Sequence, residues 1–233
     1  MLLGVDGCRA GWIAAEASGP DERPRFRLFR RFAEVIEALR SRDGLACVDV
    51  PIGLCDVGRR CDREARKLLG PARAASVFTP PSRSALAGTT AAEIRSLNLR
   101  ATGRSLSEQT LNILPKIREV DAAMTPALQE RVREVHPELV FASLTDHGSG
   151  LATSKKTDRG RRERLALLPP ALAAAAPSRA ARPFPAQAVA LDDYVDALAA
   201  LVTAGRRARG EARRLPADGV DRDQRGLAME IVW

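Results

Sequence analysis

The sequence predicts an α/β protein, a mixed central sheet flanked by helices, with residues 1–233 as a single domain. Three observations predict it. Short apolar or alternating stretches separated by glycine-flanked turns open the chain. One amphipathic helical stretch follows them. Then comes LACVDV (45–50), apolar almost throughout, as a strand covered on both faces must be. A chain of 233 residues is long enough to bury a sizeable core.

Each element follows from its residues. LLGVD (2–6) reads as a strand, GCRAG as a hairpin turn and WIAAEA, from Trp12, as the returning strand. RFRLFRRF (25–32) alternates and completes an antiparallel meander. AEVIEALRSR places Val35, Ile36 and Leu39 on one helical side, with Gly44 beyond its end. LACVDV is then the fourth strand. Strand, strand, strand, helix, strand is how a ribonuclease-H-like fold begins, with its first and fourth strands parallel neighbours in the sheet centre. Asp6 and Asp49 would then end adjacent strands at the same edge.

Residues 55–128 or so read as a mostly helical insertion after the fourth strand. CDREARKLLG is a helix closed by Gly70-Pro71, and SVFTPPSRSAL is a proline-interrupted loop. Ser105 and Glu108 fit a capping box before a helix carrying Leu106, Ile113, Ile117, Val120 and Met124, bent at Pro115. VREVHPELVFASL is expected to resume strand character, and TDRGRRERLALL to form a basic helix. PPALAAAAPSRAARPFPAQAVA is an alanine/proline surface connection. LDDYVDALAALVTAGRRA is the last helix and GLAMEIVW a terminal strand.

Composition narrows the function classes. No apolar run approaches the roughly 20 residues that span a bilayer, and no basic segment precedes an apolar leader, so the cytoplasm is the expected compartment and no membrane partner is expected. The net charge of +8 favours an anionic partner, nucleic acid above all. Charge alone is weak support, because lysine occurs only at Lys67, Lys116, Lys155 and Lys156, and an arginine- and alanine-rich bias also arises from GC-rich coding. Cys8, Cys47, Cys55 and Cys61 have no paired CxxC spacing, which argues against a zinc knuckle.

The acids carry the chemistry. On the last helix Leu191, Val195, Leu198 and Val202 form an apolar stripe, while Asp192, Asp193 and Asp196 cluster on another side. An N-cap role for Asp192 and a dipole role for Asp193 explain two of them. Asp196, one turn inside an otherwise apolar helix, has no such explanation and points to a site. Hydrolysis of a phosphodiester by paired Mg²⁺ or Mn²⁺ ions about 3.5–4 Å apart requires several converging carboxylates. Asp6, Asp49, Asp193 and Asp196 would meet that need. EVHPE adds Glu134 as a further ligand and His136 for proton transfer or substrate contact, both facing one side of a strand; an ion pair and a satisfied core histidine are the plainer alternatives. Lys156, with Arg159 to Arg164, is a candidate for phosphate contact, although a solvated basic helix face is the commoner explanation. Arg59, Arg60, Arg63, Arg66 and Arg83 form a second basic set, a candidate substrate lid.

GVDGCRAGW, VDVPIGL, RRCDREAR, SVFTPPSR, SEQTLNILPKIREVD, EVHPELVF and DDYVDALAA, in that order, resemble domain-of-unknown-function family 429 over nearly the whole chain. The resemblance implies a ribonuclease-H-like fold and a metal-dependent nuclease. The DxxDA pattern of Asp193, Asp196 and Ala197 is also similar to the last helix of Holliday-junction resolvases, which implies that both aspartates are ligands. Resolvases carry glutamate where this chain has Asp49. On this basis the leading expectation is a Mg²⁺- or Mn²⁺-dependent nuclease: Asp6 bridges two ions, Asp49 and Asp196 each hold one, and Asp193 or Glu134 completes the set. A non-catalytic nucleic-acid or metal-binding module is the alternative. A phosphotransferase of the actin/sugar-kinase type is disfavoured, since neither a second domain copy nor a glycine-rich phosphate loop is present. DNA against RNA, strandedness and oligomeric state are not legible.

Overall fold

The computed structural model describes residues 1–20 and 22–233. Strands β1 (Leu2–Cys8), β2 (Gly11–Ala17) and β3 (Arg25–Phe29) form the meander, followed by helix α1 (Phe32–Arg40) and strand β4 (Leu45–Val48). Helices α2 (Arg60–Arg73), α3 (Ala91–Thr102), α4 (Glu108–Ala123) and the single turn α5 (Pro126–Gln129) lead to β5 (Val132–Glu134). The rest comprises α6 (Pro137–Ser143), α7 (Asp158–Leu167), the turn α8 (Pro170–Ala173), α9 (Leu191–Ala208) and four two-residue strands, β6 (Arg214–Leu215), β7 (Asp221–Arg222), β8 (Ala228–Met229) and β9 (Ile231–Val232). No helix among the described residues is long and apolar enough to cross a membrane.

The central sheet is mixed and five-stranded, in the order β3-β2-β1-β4-β5. β1 runs antiparallel to β2 and parallel to β4, with Val5 opposite Val48, and β5 is parallel to β4. Side chains alternate across it. Leu3, Val5, Trp12, Ala14, Ala46 and Val48 face α1 and α4. Glu119 of α4 ties that layer down by accepting from the Trp12 indole (2.9 Å) and the Phe32 amide (2.8 Å). Ile13, Ala15 and Cys47 face the other way, towards α6 and α9. Gly4, Asp6 and Asp49 share that second face by parity.

α9 is seated on β1 at Gly4. A Cβ there would lie 2.1 Å from the Ala197 carbonyl oxygen and 2.1 Å from the Leu201 nitrogen, so only glycine admits the helix at this depth. Small neighbours complete the seat. Ala197, Ala200 and Ala204 are fully buried, whereas Leu191 and Val202, expected in the core stripe, are partly exposed. Helix depth is therefore set by small residues rather than by large apolar ones.

Several boundaries differ from the sequence expectation for local reasons. VREVHPELVFASL is a three-residue strand followed by α6, because Pro137 at the first helical position loses no hydrogen bond and presets the helical φ. The cap of α4 is Ser107, accepting from the Thr110 amide at 3.1 Å, and not Ser105. The helix from Arg60 breaks at Gly70, as expected, where φ is 64° and ψ −175°, and a further turn runs from Pro71 to Arg73. GLAMEIVW forms two short strands rather than one, β8 with β7 and β9 with β6.

Gly4→Ala is expected to cost about 3 kcal/mol or more, because the overpacked atoms are helix backbone, and to lower Tm by about 6–12 °C. Gly7→Ala, whose Cβ would meet nothing closer than the flexible Lys116 Cγ at 3.5 Å, should stay within about 1 kcal/mol of the parent. Parallel thermal melts compare the two.

Candidate functional site

The seating of α9 dictates what stands at the strand ends. α9 runs antiparallel to β1, with Ala197–Leu201 over Gly4 and Arg207 reaching the Ala46 carbonyl near the start of β4. Two strand residues on from Gly4, about 6.6 Å, correspond to about four helix residues back towards the helix start. That places Asp6 against the turn holding Asp193 and Asp196. β4 delivers Asp49 to the same place, its amide bonded to the Val5 carbonyl at 2.9 Å.

The result is a cavity of about 260 Å³ with Asp6, Asp49, Glu138, Asp193, His136, Lys116 and Lys155 in its wall. Asp6 is 8% exposed, and Asp196, just behind, is 1% exposed. Burial pushes the Asp6 carboxyl well above the usual carboxylate range, and Asp49, Asp196 and Asp193 push it further. Asp49, Asp193 and Asp196 are each raised to about 6, burial being the main cause in every case. Among the described residues no side-chain donor meets the carboxylate of Asp6 or Asp49, and Oδ1 of Asp196 is buried without a hydrogen-bond partner.

One cation stands among these acids. The ammonium of Lys155 donates to Oδ2 of Asp196 while its stem keeps the side chain 35% exposed. Burial works against that charge, yet Asp196, Asp6 and Asp49 outweigh it and hold the ammonium above its ordinary range. Asp193 also reaches back to the Ala190 amide (2.8 Å), capping α9 while facing the cavity. His136 is set by its Nε2, 3.2 Å from the Ser76 carbonyl oxygen, which leaves Nδ1 as a lone-pair acceptor. Burial lowers its pKa and keeps the ring neutral.

Of the acids expected together from sequence, Asp6, Asp49, Asp193 and Asp196 meet. Glu134 does not. It pairs across the sheet with Val48 and shares the face of Val132, opposite to Asp6. There it accepts from the Ile52 amide (2.7 Å) and from Arg59 Nη1 (2.7 Å). The expected substrate contact Arg59 is accordingly internal: at 3% exposure it bridges Asp62 and Glu134. Arg83 is likewise engaged, pairing with Asp121 and Asp223. Lys156 is exposed and turned away from the acids that its neighbour Lys155 enters. Within the basic helix α7, Arg164 is fully buried and holds Glu138 at 2.7 and 2.9 Å.

Lys155 and Lys116 were missed as site residues, and Glu138 of EVHPE was noted beside Glu134 and His136 without a role. One sequence signal was the rarity of lysine in this chain, two of whose four lysines line the cavity. Pro137 also marks a helix start that turns Glu138 inward.

The donor set tests for a hard divalent cation. All the acids offer oxygen, Asp196 Oδ1 lacks a partner, and four carboxylates share one lysine, which fits Mg²⁺ or Mn²⁺ in kind. No three His, Cys, Asp or Glu side chains among the described residues are gathered closely enough to form a finished cage.

A family model described as "Protein of unknown function (DUF429)" matches residues 4–220. No curated protein and no solved structure matches the chain.

Arg59→Ala is expected to lower unfolding stability in urea by about 3–5 kcal/mol, because it strands Asp62 and Glu134 in the interior. The exposed Arg63→Ala should change it by no more than about 0.5 kcal/mol. The acid cluster gives a second expectation. Unfolded aspartates ionise near pH 4, so from about pH 4 to 6 the folded state keeps protons that the unfolded chain has lost. Stability from these groups is therefore full at the acid end and is lost as the pH rises through about 6. Melts from pH 5 to 7.5 should show that decline, and Asp49→Asn should flatten it.

Proposed function

Starting from the fact that the chain belongs to the DUF429 family, whose description assigns no activity, we propose that it is a divalent-metal-dependent nuclease of ribonuclease-H-like fold. Residues 1–233 form one such domain, with about 55–128 as its helical insertion. The observation that carries this is the meeting of four carboxylates from the ends of two parallel central strands and one helix, with a single lysine as counter-charge. The strand order β3-β2-β1-β4-β5, with only β2 reversed against its neighbours β1 and β3, supports the fold assignment. The charge of +8 supports an anionic polymer as substrate, DNA or RNA.

In this mechanism Asp6, Asp49, Asp193 and Asp196 would hold the metal. A bound Mg²⁺ or Mn²⁺ supplies an activated water and charge stabilisation at the cleaved phosphodiester. The chain's own residues do the rest. Asp6 and Asp49 project from rigid strand ends, so their separation is held by the sheet ladder. Lys155 offsets the surplus negative charge and lies within reach of an incoming phosphate. Nδ1 of neutral His136 carries the free lone pair and is buried beside the cavity without a hydrogen-bond partner. Arg164 neutralises Glu138, which keeps that fifth carboxylate from repelling the substrate.

One observation favours a second reading, a non-catalytic module: the carboxylates are not gathered into a finished cage. Activity separates the two. The purified chain with Mn²⁺ or Mg²⁺ is expected to cleave labelled single-stranded, duplex or branched DNA or RNA, and Asp6→Asn to reduce the rate by at least about a hundredfold, beyond what outer-shell changes cost. Cleavage unchanged in Asp6→Asn rules out the assignment, and binding without turnover in any divalent metal favours the module.

A further inference from the structure

A larger cavity lies beside the acidic one and not within it. It measures about 780 Å³, inside the range of roughly 300–1,000 Å³ typical of ligand pockets. It is walled by the loop after β4, the end of α2 and the connection from α3 to α4. Phe78 and Gln109 line both cavities, so the two adjoin.

The lining is chemically mixed. Val77 and Leu106 are buried apolar walls, and Phe78 offers a partly exposed ring at the shared boundary. Arg66 is fixed by donating from Nε to the Val77 carbonyl (2.7 Å) and from Nη2 to the Thr79 hydroxyl (3.1 Å). Arg104 is exposed. Neither arginine is ion-paired among the described residues, in a chain whose buried acids are mostly clamped by arginine. Asp56 is the one carboxylate in the described lining. An aromatic face, two arginines without carboxylate partners and apolar depth suit a base with its phosphate and sugar.

We propose that this cavity holds one unpaired nucleotide next to the phosphodiester bound at the acids, so that the substrate is single-stranded or locally unpaired nucleic acid. This rests on reading the acidic cavity as a phosphodiester site. In a continuous duplex every base is stacked and paired, and none reaches a cavity of this depth without being extruded.

Fluorescence anisotropy tests it with the full-length protein in Ca²⁺, an oxygen-binding cation that can stand at the acids, under conditions in which the probe is not cleaved. The probes are labelled DNA and RNA of equal length: a blunt duplex, the same duplex with a one-nucleotide bulge, and a single strand. The bulged and single-stranded forms are expected to bind about tenfold tighter than the blunt duplex at equal salt, the worth of one stacked base. Ala75→Trp and Ala101→Trp fill the cavity from exposed and partly exposed positions. Each, checked as folded by circular dichroism, should bring the preferred forms down to the duplex value. Equal affinity for all three forms in both nucleic acids, or a preference that survives both fillings, overturns the proposal. Cleavage in Mn²⁺ without the preference removes this inference and leaves the nuclease standing. The preference without cleavage removes the nuclease and leaves the nucleotide cavity.

Discussion

The contact between α9 and β1 at Gly4 is the constraint on which the rest of the molecule depends. With no atom to spare between helix backbone and strand, the helix cannot slide along the sheet without collision. Its axial position is therefore fixed, and with it the height of Asp193 and Asp196 above the strand ends. The parallel ladder between β1 and β4 fixes the other two acids. Four like charges are thus gathered by rigid backbone elements, and only Asp193, which caps α9 through the Ala190 amide, has a structural role of its own there. Burial and mutual repulsion raise all four carboxyls, so the fold is working against the site it builds.

How far this was legible depends on which physical rule decided each residue. Asp6 and Asp49 were readable because side-chain alternation and strand order suffice once the first and fourth strands are neighbours. Asp196 was readable because a charge one turn inside an apolar helix has no local partner. Glu134 failed for the same rule of alternation, applied through a pairing the sequence does not state: its register opposite Val48 turns it to the α1/α4 face. Arg59 looked like a surface cation because burial of an arginine is only evident when both its carboxylates, one 75 residues away, are in view. Between Lys155 and Lys156 no pattern discriminates, since one step along an irregular loop reverses the direction of a side chain. The start of α6 was readable from Pro137 and was missed because apolar content outweighed the proline.

The treatment of acids elsewhere in the interior gives the site its meaning. Glu16 is held by Arg25, Arg27 and Arg42; Glu134 and Asp62 by Arg59; Glu138 by Arg164; Asp223 by Arg83; Glu230 by Arg133. Arginine's planar fork satisfies a buried carboxylate and locks it. This chain has arginine in abundance and applies it to those six acids. The cluster at the strand ends receives a single lysine instead. The departure sets these four carboxylates apart from the other six and favours the proposed metal binding.

Lysine is also the residue that suits such an arrangement. Its ammonium is a compact charge on a flexible stem, with no second donor plane to hold two oxygens at once. Lys155 lies in an irregular stretch between α6 and α7, and its side chain is 35% exposed. It can therefore withdraw to water without breaking a helix or a strand. A buried guanidinium such as Arg164 is held by two bonds to Glu138, with Arg73 also 3.9 Å from the same carboxylate, so that acid is locked. The two kinds of acid thus differ in how they are neutralised: arginine forks hold the six, whereas a lysine on a flexible stem stands among the other four.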